Sequence, residues 1–173
     1  MIDPSAAGWE AMDDPGFIGL VGPVFRRAGG EHDEYGFLAA PKHANVRHVV
    51  QGGMLMTFAD RAFGRTAWQA AGRGVATVQF DMQFVSAARM GDFVETRPEV
   101  VRRTAALVFM RGTLLAGMRV VATAHGVGKS WAERLRVRPM IVTGRLTGCS
   151  VQAAAVEANF STCVLVLLRH KLR

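Results

Sequence analysis

The sequence has few of the cysteines and long apolar segments that are typical of secreted, zinc-binding or membrane proteins. Its 173 residues include two cysteines, Cys149 and Cys163, which are too few for a disulfide scaffold and form no CxxC pair for zinc or redox chemistry. The first residues have neither the basic nor the apolar region of a secretory signal. The late apolar run 163–168 is far shorter than the roughly 20 residues of a membrane span. These absences predict a cytoplasmic protein with no membrane partner.

Charged residues are also modest in number, at 20% against 50% hydrophobic residues, which predicts a packed domain rather than a disordered chain. The net charge of +7 and pI of about 10.7 raise the possibility of nucleic-acid binding. However, residues 132–173 hold seven Lys and Arg against two Glu, which leaves 14 basic and 12 acidic side chains in residues 1–131. The strands predicted below do not interleave aromatic and basic side chains on one face, so we expect no nucleic-acid partner.

The chain is predicted to divide at residue 131, where its composition and hydrophobic pattern change. Residues 1–131 have the length and patterning of one domain, and residues 132–173 form an atypical basic C-terminal extension. Within the extension, the Ala-rich stretch 151–159 is compatible with a helix and 163–168 with a strand.

One long helix is predicted from Gly53 to Ala71. This stretch has no proline and its apolar side chains recur every three or four residues. A glycine pair, Gly52-Gly53, precedes the helix, and Gly72-Arg73-Gly74 follows it as a C-terminal cap signal.

Strands are predicted on both sides of that helix. Over residues 75–84, Ala76, Val78, Phe80, Met82 and Phe84 alternate with more polar residues, which is typical of a strand with one wet face. Short turns separate further strands at 92–102, 105–115 and 118–129, and weaker candidates lie at 17–26 and 35–40. Short connections favour antiparallel pairing. The expected fold class is therefore α+β, with an antiparallel sheet wrapped on one central helix.

The common catalytic motifs are missing from the sequence. Gly128-Lys129-Ser130-Trp131-Ala132 lacks the closing glycine of a nucleophile elbow. His43 and His48 are five residues apart and lack an intervening metalloprotease glutamate, and His32 and His125 have no His or carboxylate partner at ligand spacing, so no metal site is predicted. Two features of the predicted helix remain as candidates for a catalytic site. The amides of Gly52 and Gly53 open it at the positive end of its dipole, where they could hold an oxyanion.

Asp60 is the second feature, an acid within a largely apolar helix and beyond its first turn. Met56, Phe63 and Gly64 share its face, which predicts an apolar and partly dry setting for a catalytic carboxylate. Spacing alone favours an ordinary role for Asp60, because an aspartate on a helix is usually solvated or paired with a neighbouring cation such as Arg61 or Arg65.

These residues carry a family resemblance. Asn45, then Gln51-Gly52-Gly53 six residues on and Asp60 fifteen residues on, resembles the signature of hotdog-fold acyl-CoA thioesterases of the PaaI-like group. The segments 76–78, 84–92 and 126–129 also resemble this family, and the likeness covers residues 12–131. The resemblance implies the hotdog fold, in which a curved antiparallel sheet wraps a long helix.

The resemblance also implies a reaction and a set of roles. The reaction would be hydrolysis of an acyl-CoA thioester to a free acid and coenzyme A, with Asp60 as general base or nucleophile. The Gly52 amide would polarise the thioester carbonyl, and Asn45 and Thr77 would position the carbonyl or the attacking water. Gly53 would help to form the helix mouth, and Gln51 and Gly53 are expected to bind the substrate. No cofactor is implied, and the site would lie between two subunits of a homodimer, often part of a dimer of dimers.

One departure from the family keeps other functions open. Gln51 stands where the family has histidine, and glutamine does not titrate near neutral pH. A non-catalytic acyl-thioester-binding module or sensor is therefore the main alternative, and a hydratase, which would need that histidine, is a minor one. Arg89, and by position also Arg73 and Lys129, are candidates for binding coenzyme A phosphates. The Met and Phe side chains at 54, 56, 58 and 63 would line an acyl tunnel or simply form the core.

Overall fold

The computed structural model describes residues 3–131. Within this range the elements follow in the order β1 (Glu10–Ala11), α1 (Gly16–Val21), β2 (Phe25–Arg27), β3 (Glu34–Leu38), α2 (Gly52–Ala71), β4 (Val75–Phe84), β5 (Phe93–Thr96), β6 (Glu99–Arg103), β7 (Leu107–Ala116) and β8 (Arg119–Ser130). The eight strands form one antiparallel sheet in the order β1-β2-β3-β5-β7-β8-β4, with β6 paired to β7. The predicted α+β class is confirmed.

The long helix α2 forms and ends where the sequence predicts. Gly72 stops it in the left-handed conformation, with φ of 65°, and donates its N–H to the carbonyl of Trp68. One face of α2 packs against β3, β4, β6, β7 and β8. The rings of Phe37 and Phe58 lie 4.9 Å apart, and those of Phe63 and Phe80 lie 5.2 Å apart. These aromatic contacts join the helix to two different strands of the sheet.

The strands predicted after α2 are confirmed, except that one of them is divided into two. The predicted strand at 92–102 is two strands, β5 and β6, separated by Arg97 and Pro98. Proline has no N–H to donate to a ladder, so the chain leaves the edge of β7 there and returns as β6. β7 and β8 form a long hairpin that turns at Gly117, with φ of 60°.

The N-terminal prediction was wrong. Residues 17–26 were expected to form a strand, but Gly16–Val21 is the helix α1 and only Phe25–Arg27 is a strand. The helical pattern is not apparent in the sequence because the run is apolar on both faces. Ile18 and Val21, three residues apart, pack on the core, while Phe17 and Leu20 are exposed. The predicted strand at 35–40 is confirmed as β3.

No helix within residues 3–131 has the length and apolarity to cross a bilayer. The helix expected at 151–159, the strand expected at 163–168 and the extension that would contain them lie outside the described residues.

Candidate active site

The start of α2 leaves one backbone amide available. Gln51 is the N-cap residue, and its side-chain oxygen Oε1 accepts a hydrogen bond from the Gly53 N–H. The carbonyl of Gln51 accepts from Met54 at 2.9 Å and from Leu55 at 3.4 Å. The Gly52 N–H has no hydrogen-bond partner among the described residues. The expectation of two free amides is therefore corrected to one, because the glutamine side chain caps the other.

A cleft lies directly beside this free amide. It has a volume of about 400 Å³. Its lining is formed by the helix start and by the end of β4 with the loop that follows: Val50, Gly52, Leu55, Phe84, Val85, Ser86, Ala87 and Ala88. The ring of Phe84 lies 3.1 Å from the position that a Cβ on Gly52 would occupy. The cleft therefore offers a mainly apolar wall with one outward N–H at the positive end of a helix dipole.

The structure brings Asp60 and Thr77 together. The Thr77 hydroxyl donates a hydrogen bond to Asp60 Oδ1 at 2.7 Å, which joins α2 to β4. With one carboxylate oxygen held in this way, Oδ2 is left to accept a proton from water. A general base with an orienting hydroxyl is one role that this arrangement can fill.

A β-bulge in β4 makes this contact possible. The register of β4 on β8 shifts between Thr77 and Gln79, so Val78 is an extra residue and is 57% exposed. In a regular strand, residues 77 and 80 would point to opposite faces. The bulge lets Thr77 and Phe80 both reach α2. The strict alternation predicted for 75–84 is corrected accordingly.

Asp60 is exposed in the single chain, contrary to the apolar, partly dry setting predicted for it. Phe63 turns into the core at 1% exposure, and Met56 is 40% exposed on the open face. Met54 and Phe58 are also buried, so of the four side chains considered for an acyl tunnel, three belong to the core. Met56 and Asp60, one turn apart on α2, are therefore both exposed in the single chain.

Asn45 shapes the loop that leads to α2. Its side-chain Oδ1 accepts hydrogen bonds from the amides of Arg47, at 2.8 Å, and Val49, at 3.4 Å. This turn leaves Nδ2 without a partner in the described part of the chain. An amide group with a donor still available is what the predicted positioning role requires.

Arg89 lies at the end of the cleft loop. Its backbone N–H donates to Asp92 Oδ2 at 2.8 Å, while its side chain is exposed and makes no ion pair within residues 3–131. Arg73 and Lys129 are elsewhere, at the C-terminal end of α2 and at the neighbouring end of β8. The Arg73 guanidinium donates to the carbonyl of Ala105. Of the three basic candidates, Arg89 alone adjoins the cleft.

The two halves of the site do not meet within one chain. Gly52 and Asp60 are eight residues apart on α2, which places them about 12 Å apart along the helix axis. A base and an oxyanion donor must each lie within about 3 Å of neighbouring reacting atoms. The Gly52 amide and the Asp60 carboxylate of one chain therefore cannot act on the same carbonyl group.

Sequence reasoning missed two contributors to the site. Phe84 was predicted only as an inward strand residue, and its ring lies against Gly52. The bulge at Val78 was not predicted at all. The sole signal for it in the sequence is that Thr77 and Phe80 are both compatible with an inward position.

Comparisons with known proteins identify the family of the chain. The model of the thioesterase superfamily matches residues 48–123, a range that includes Gly52, Asp60 and Thr77 and begins just after Asn45. A predicted esterase from Pseudomonas aeruginosa is 32% identical over 117 residues, which cover 64% of this chain and 84% of the relative.

Solved structures show the same fold. The PaaI protein of the Escherichia coli phenylacetic acid degradation operon superposes with a TM-score of 0.62 at 14% identity, covering 66% of this chain and 83% of that one. A Streptococcus mutans protein solved with acetyl-CoA superposes with a TM-score of 0.61 at 16% identity, covering 69% and 94%. The family match and the relative support a hydrolase activity of the thioesterase kind. The chain belongs to the thioesterase superfamily and has its hotdog fold.

Proposed function

We propose that the protein hydrolyses acyl-CoA thioesters to free acids and coenzyme A. The observation that carries this proposal is the hydrogen bond from Thr77 to Asp60, since it presents a held carboxylate on the open face of α2. The presence of acetyl-CoA in the Streptococcus mutans neighbour supports a coenzyme A thioester as the substrate.

The chemistry needs few groups because a thioester carbonyl is already electrophilic. With Asp60 as base, its Oδ2 accepts a proton from water, and the water oxygen bonds to the thioester carbon. The Gly52 N–H donates to the oxyanion that forms. Collapse of this intermediate breaks the C–S bond, and the thiolate of coenzyme A leaves and takes up the proton from Asp60. If Asp60 is instead the nucleophile, its oxygen forms an acyl anhydride with loss of the thiolate, and water then cleaves the anhydride.

The site is proposed to form between two protomers. The separation of about 12 Å between Gly52 and Asp60 means that each carbonyl must meet the Gly52 amide of one chain and the Asp60 of another. A twofold axis would create two such sites in a dimer. Asn45, Gln51 and Gly53 would accompany Gly52, and Thr77 would accompany Asp60.

The edge of the sheet supports this pairing. β4 ends the strand order, and no strand pairs with its outer edge within residues 3–131. This ten-residue edge carries Val78 at 57% and Phe84 at 54% exposure, and the adjacent helix face carries Trp68 at 46%. A long, partly apolar edge strand is normally covered. We propose that a second copy covers it, giving a homodimer or a dimer of dimers.

The coenzyme A part of the substrate is proposed to bind in the cleft and beside it. The cleft beside Gly52 is proposed to take the pantetheine arm of coenzyme A, because it leads to the free amide between mainly apolar walls. Arg89 lies at the end of the cleft, is exposed and makes no ion pair within residues 3–131, and it is proposed to bind the phosphates.

The direct experiment measures coenzyme A release from acyl-CoA with a thiol reagent. We expect the wild type to turn over and Asp60→Asn to lose about 10²- to 10⁴-fold in kcat, because the base is removed. Binding without turnover would replace the proposal with the non-catalytic module. In a single turnover in water enriched in oxygen-18, label in Asp60 indicates the nucleophile role, because water then cleaves the anhydride at the Asp60 carboxyl carbon. Label in the product acid alone is expected from the base role and also from attack of water on the acyl carbon of the anhydride.

A mixing experiment tests whether the site spans two chains. Gly52→Pro removes the N–H at a helix position that tolerates proline, and Gln51 already has the extended backbone that precedes proline. Gly52→Ala is the matched control, since it keeps the N–H and makes the same contact with Phe84. Neither Asp60→Asn nor Gly52→Pro should be active alone.

After unfolding and refolding together, the two inactive variants should recover about a quarter of the wild-type activity. Half of the dimers would then be mixed, and each of these would hold one intact site. No recovery, with mixed dimers demonstrated, would refute a two-chain site.

A further inference from the structure

Gly64 lies within α2 and has no structural reason to be glycine in the single chain. Glycine inside a helix is less stable than alanine, because it loses more backbone freedom on folding. A Cβ added at Gly64 would meet nothing within 4 Å, and its φ is not positive. Alanine would therefore fit the chain and favour the helix.

Most other described glycines do have a reason. A Cβ on Gly36 would lie 2.4 Å from the ring of Phe93, one on Gly112 would lie 3.0 Å from the ring of Phe63, and one on Gly128 would lie 2.5 Å from Val75. Gly72 and Gly117 have positive φ. Within residues 3–131, Gly64 shares its freedom from both constraints only with Gly30, which is in an exposed loop.

The position of Gly64 relates it to the carboxylate. It lies four residues after Asp60, one helical turn or about 6 Å further along the same face. Met56, one turn before Asp60, and Trp68, one turn after Gly64, carry side chains that are 40% and 46% exposed. Gly64 is thus the bare position in a row of larger side chains, and it adjoins the Asp60–Thr77 pair.

We propose that Gly64 is a specificity-determining residue that makes room for the acyl group of the thioester. This inference rests on the proposed function. When the thioester carbon is at Asp60, the acyl group must leave along the face of α2. Met56 occupies the N-terminal direction, and the bare backbone at Gly64 leaves the C-terminal direction open as far as Trp68. A side chain at position 64 would shorten the acyl groups that fit.

The test compares Gly64→Ala and Gly64→Leu with the wild type on acetyl-CoA, hexanoyl-CoA and phenylacetyl-CoA. Gly30→Ala and Gly30→Leu are matched controls at the other unconstrained glycine. Sedimentation checks that the oligomeric state is unchanged. We expect Gly64→Leu to lower kcat/KM for the two larger substrates by about tenfold or more and that for acetyl-CoA by less than about threefold, with Gly64→Ala intermediate. Both variants should unfold at a higher temperature than the wild type.

Three results would overturn the inference: an equal loss for all three substrates, no loss for any, or dissociation of the oligomer, which would assign the space to a partner helix. Calorimetric titration of the same thioesters keeps this inference separate from the proposed function. If the wild type binds them without turnover, the hydrolase proposal fails, yet selective loss of phenylacetyl-CoA binding in Gly64→Leu still supports the role of Gly64.

Discussion

Replacing Thr77 with valine isolates the contact on which the proposed mechanism depends. Valine keeps the shape and β-branching of threonine, so it suits the edge strand β4, and it removes only the hydroxyl that donates to Asp60 Oδ1 at 2.7 Å. Both residues are exposed in the single chain, so solvent weakens this hydrogen bond to about 1 to 1.5 kcal/mol, at or just below the range for a charged acceptor. We therefore expect kcat/KM for an acyl-CoA to fall by about tenfold.

A double-mutant cycle shows whether Thr77 acts through the carboxylate. If it does, adding Thr77→Val to Asp60→Asn should cost almost nothing further, because the carboxylate it orients is already gone. Thr77→Ser, which keeps the hydroxyl, should stay within about threefold of the wild type. A purely structural role for Thr77 would not produce this pattern.

The assay is coenzyme A release, with circular dichroism and sedimentation as checks on folding and assembly. Losses that multiply in the double variant would refute the reasoning. So would a Thr77→Ser variant as slow as Thr77→Val.

Three further predictions concern other parts of the molecule. Arg89→Ala should raise KM for an acyl-CoA but not for the matching acyl-pantetheine, which lacks the nucleotide phosphates; equal effects on both would contradict phosphate binding. Gly112→Ala should lower the free energy of unfolding in urea by about 1 to 3 kcal/mol, because its Cβ would lie 3.0 Å from the Phe63 ring, and an unchanged midpoint would disprove this. Burial lowers the pKa of His43 below 6.5, despite the hydrogen bond of its Nε2 to the Val21 carbonyl at 2.6 Å. The unfolded chain therefore binds the extra proton, and stability should fall as pH drops from 6.5 toward the lowered value, less so in His43→Asn.

The sequence predicted the elements that local signals define. α2 and β4 have clear apolar periods, and Gly72 ends the helix by its own backbone preference, so their bounds agree with the structure. The strand prediction for residues 16–21 was wrong because six residues are too few to distinguish a helical period from a continuous apolar run. The break at Pro98 followed from the missing N–H and could have been predicted.

The residues of the candidate site that lie on one helix could be predicted from the sequence, but the contacts between the helix and the sheet could not. Gly52 and Asp60 were found by spacing, because both lie on one helix. The Asp60–Thr77 contact depends on the bulge at Val78, and the register of β4 on β8 is set by pairing that no local pattern encodes. The capping of the Gly53 amide by Gln51 likewise depends on a side-chain rotamer, which residue type alone leaves open.

The position of β4 at the edge of the sheet gives the proposed enzyme an unusual dependence on its own abundance. The strand that holds Thr77 is also the strand left for a second copy, so assembly and catalysis would share one surface. Mass action would then govern the rate: on dilution below the dissociation constant of the dimer, activity per chain would decline although every chain stayed folded. A surface substitution on β4 far from any substrate could therefore silence the enzyme at low expression and spare it at high expression.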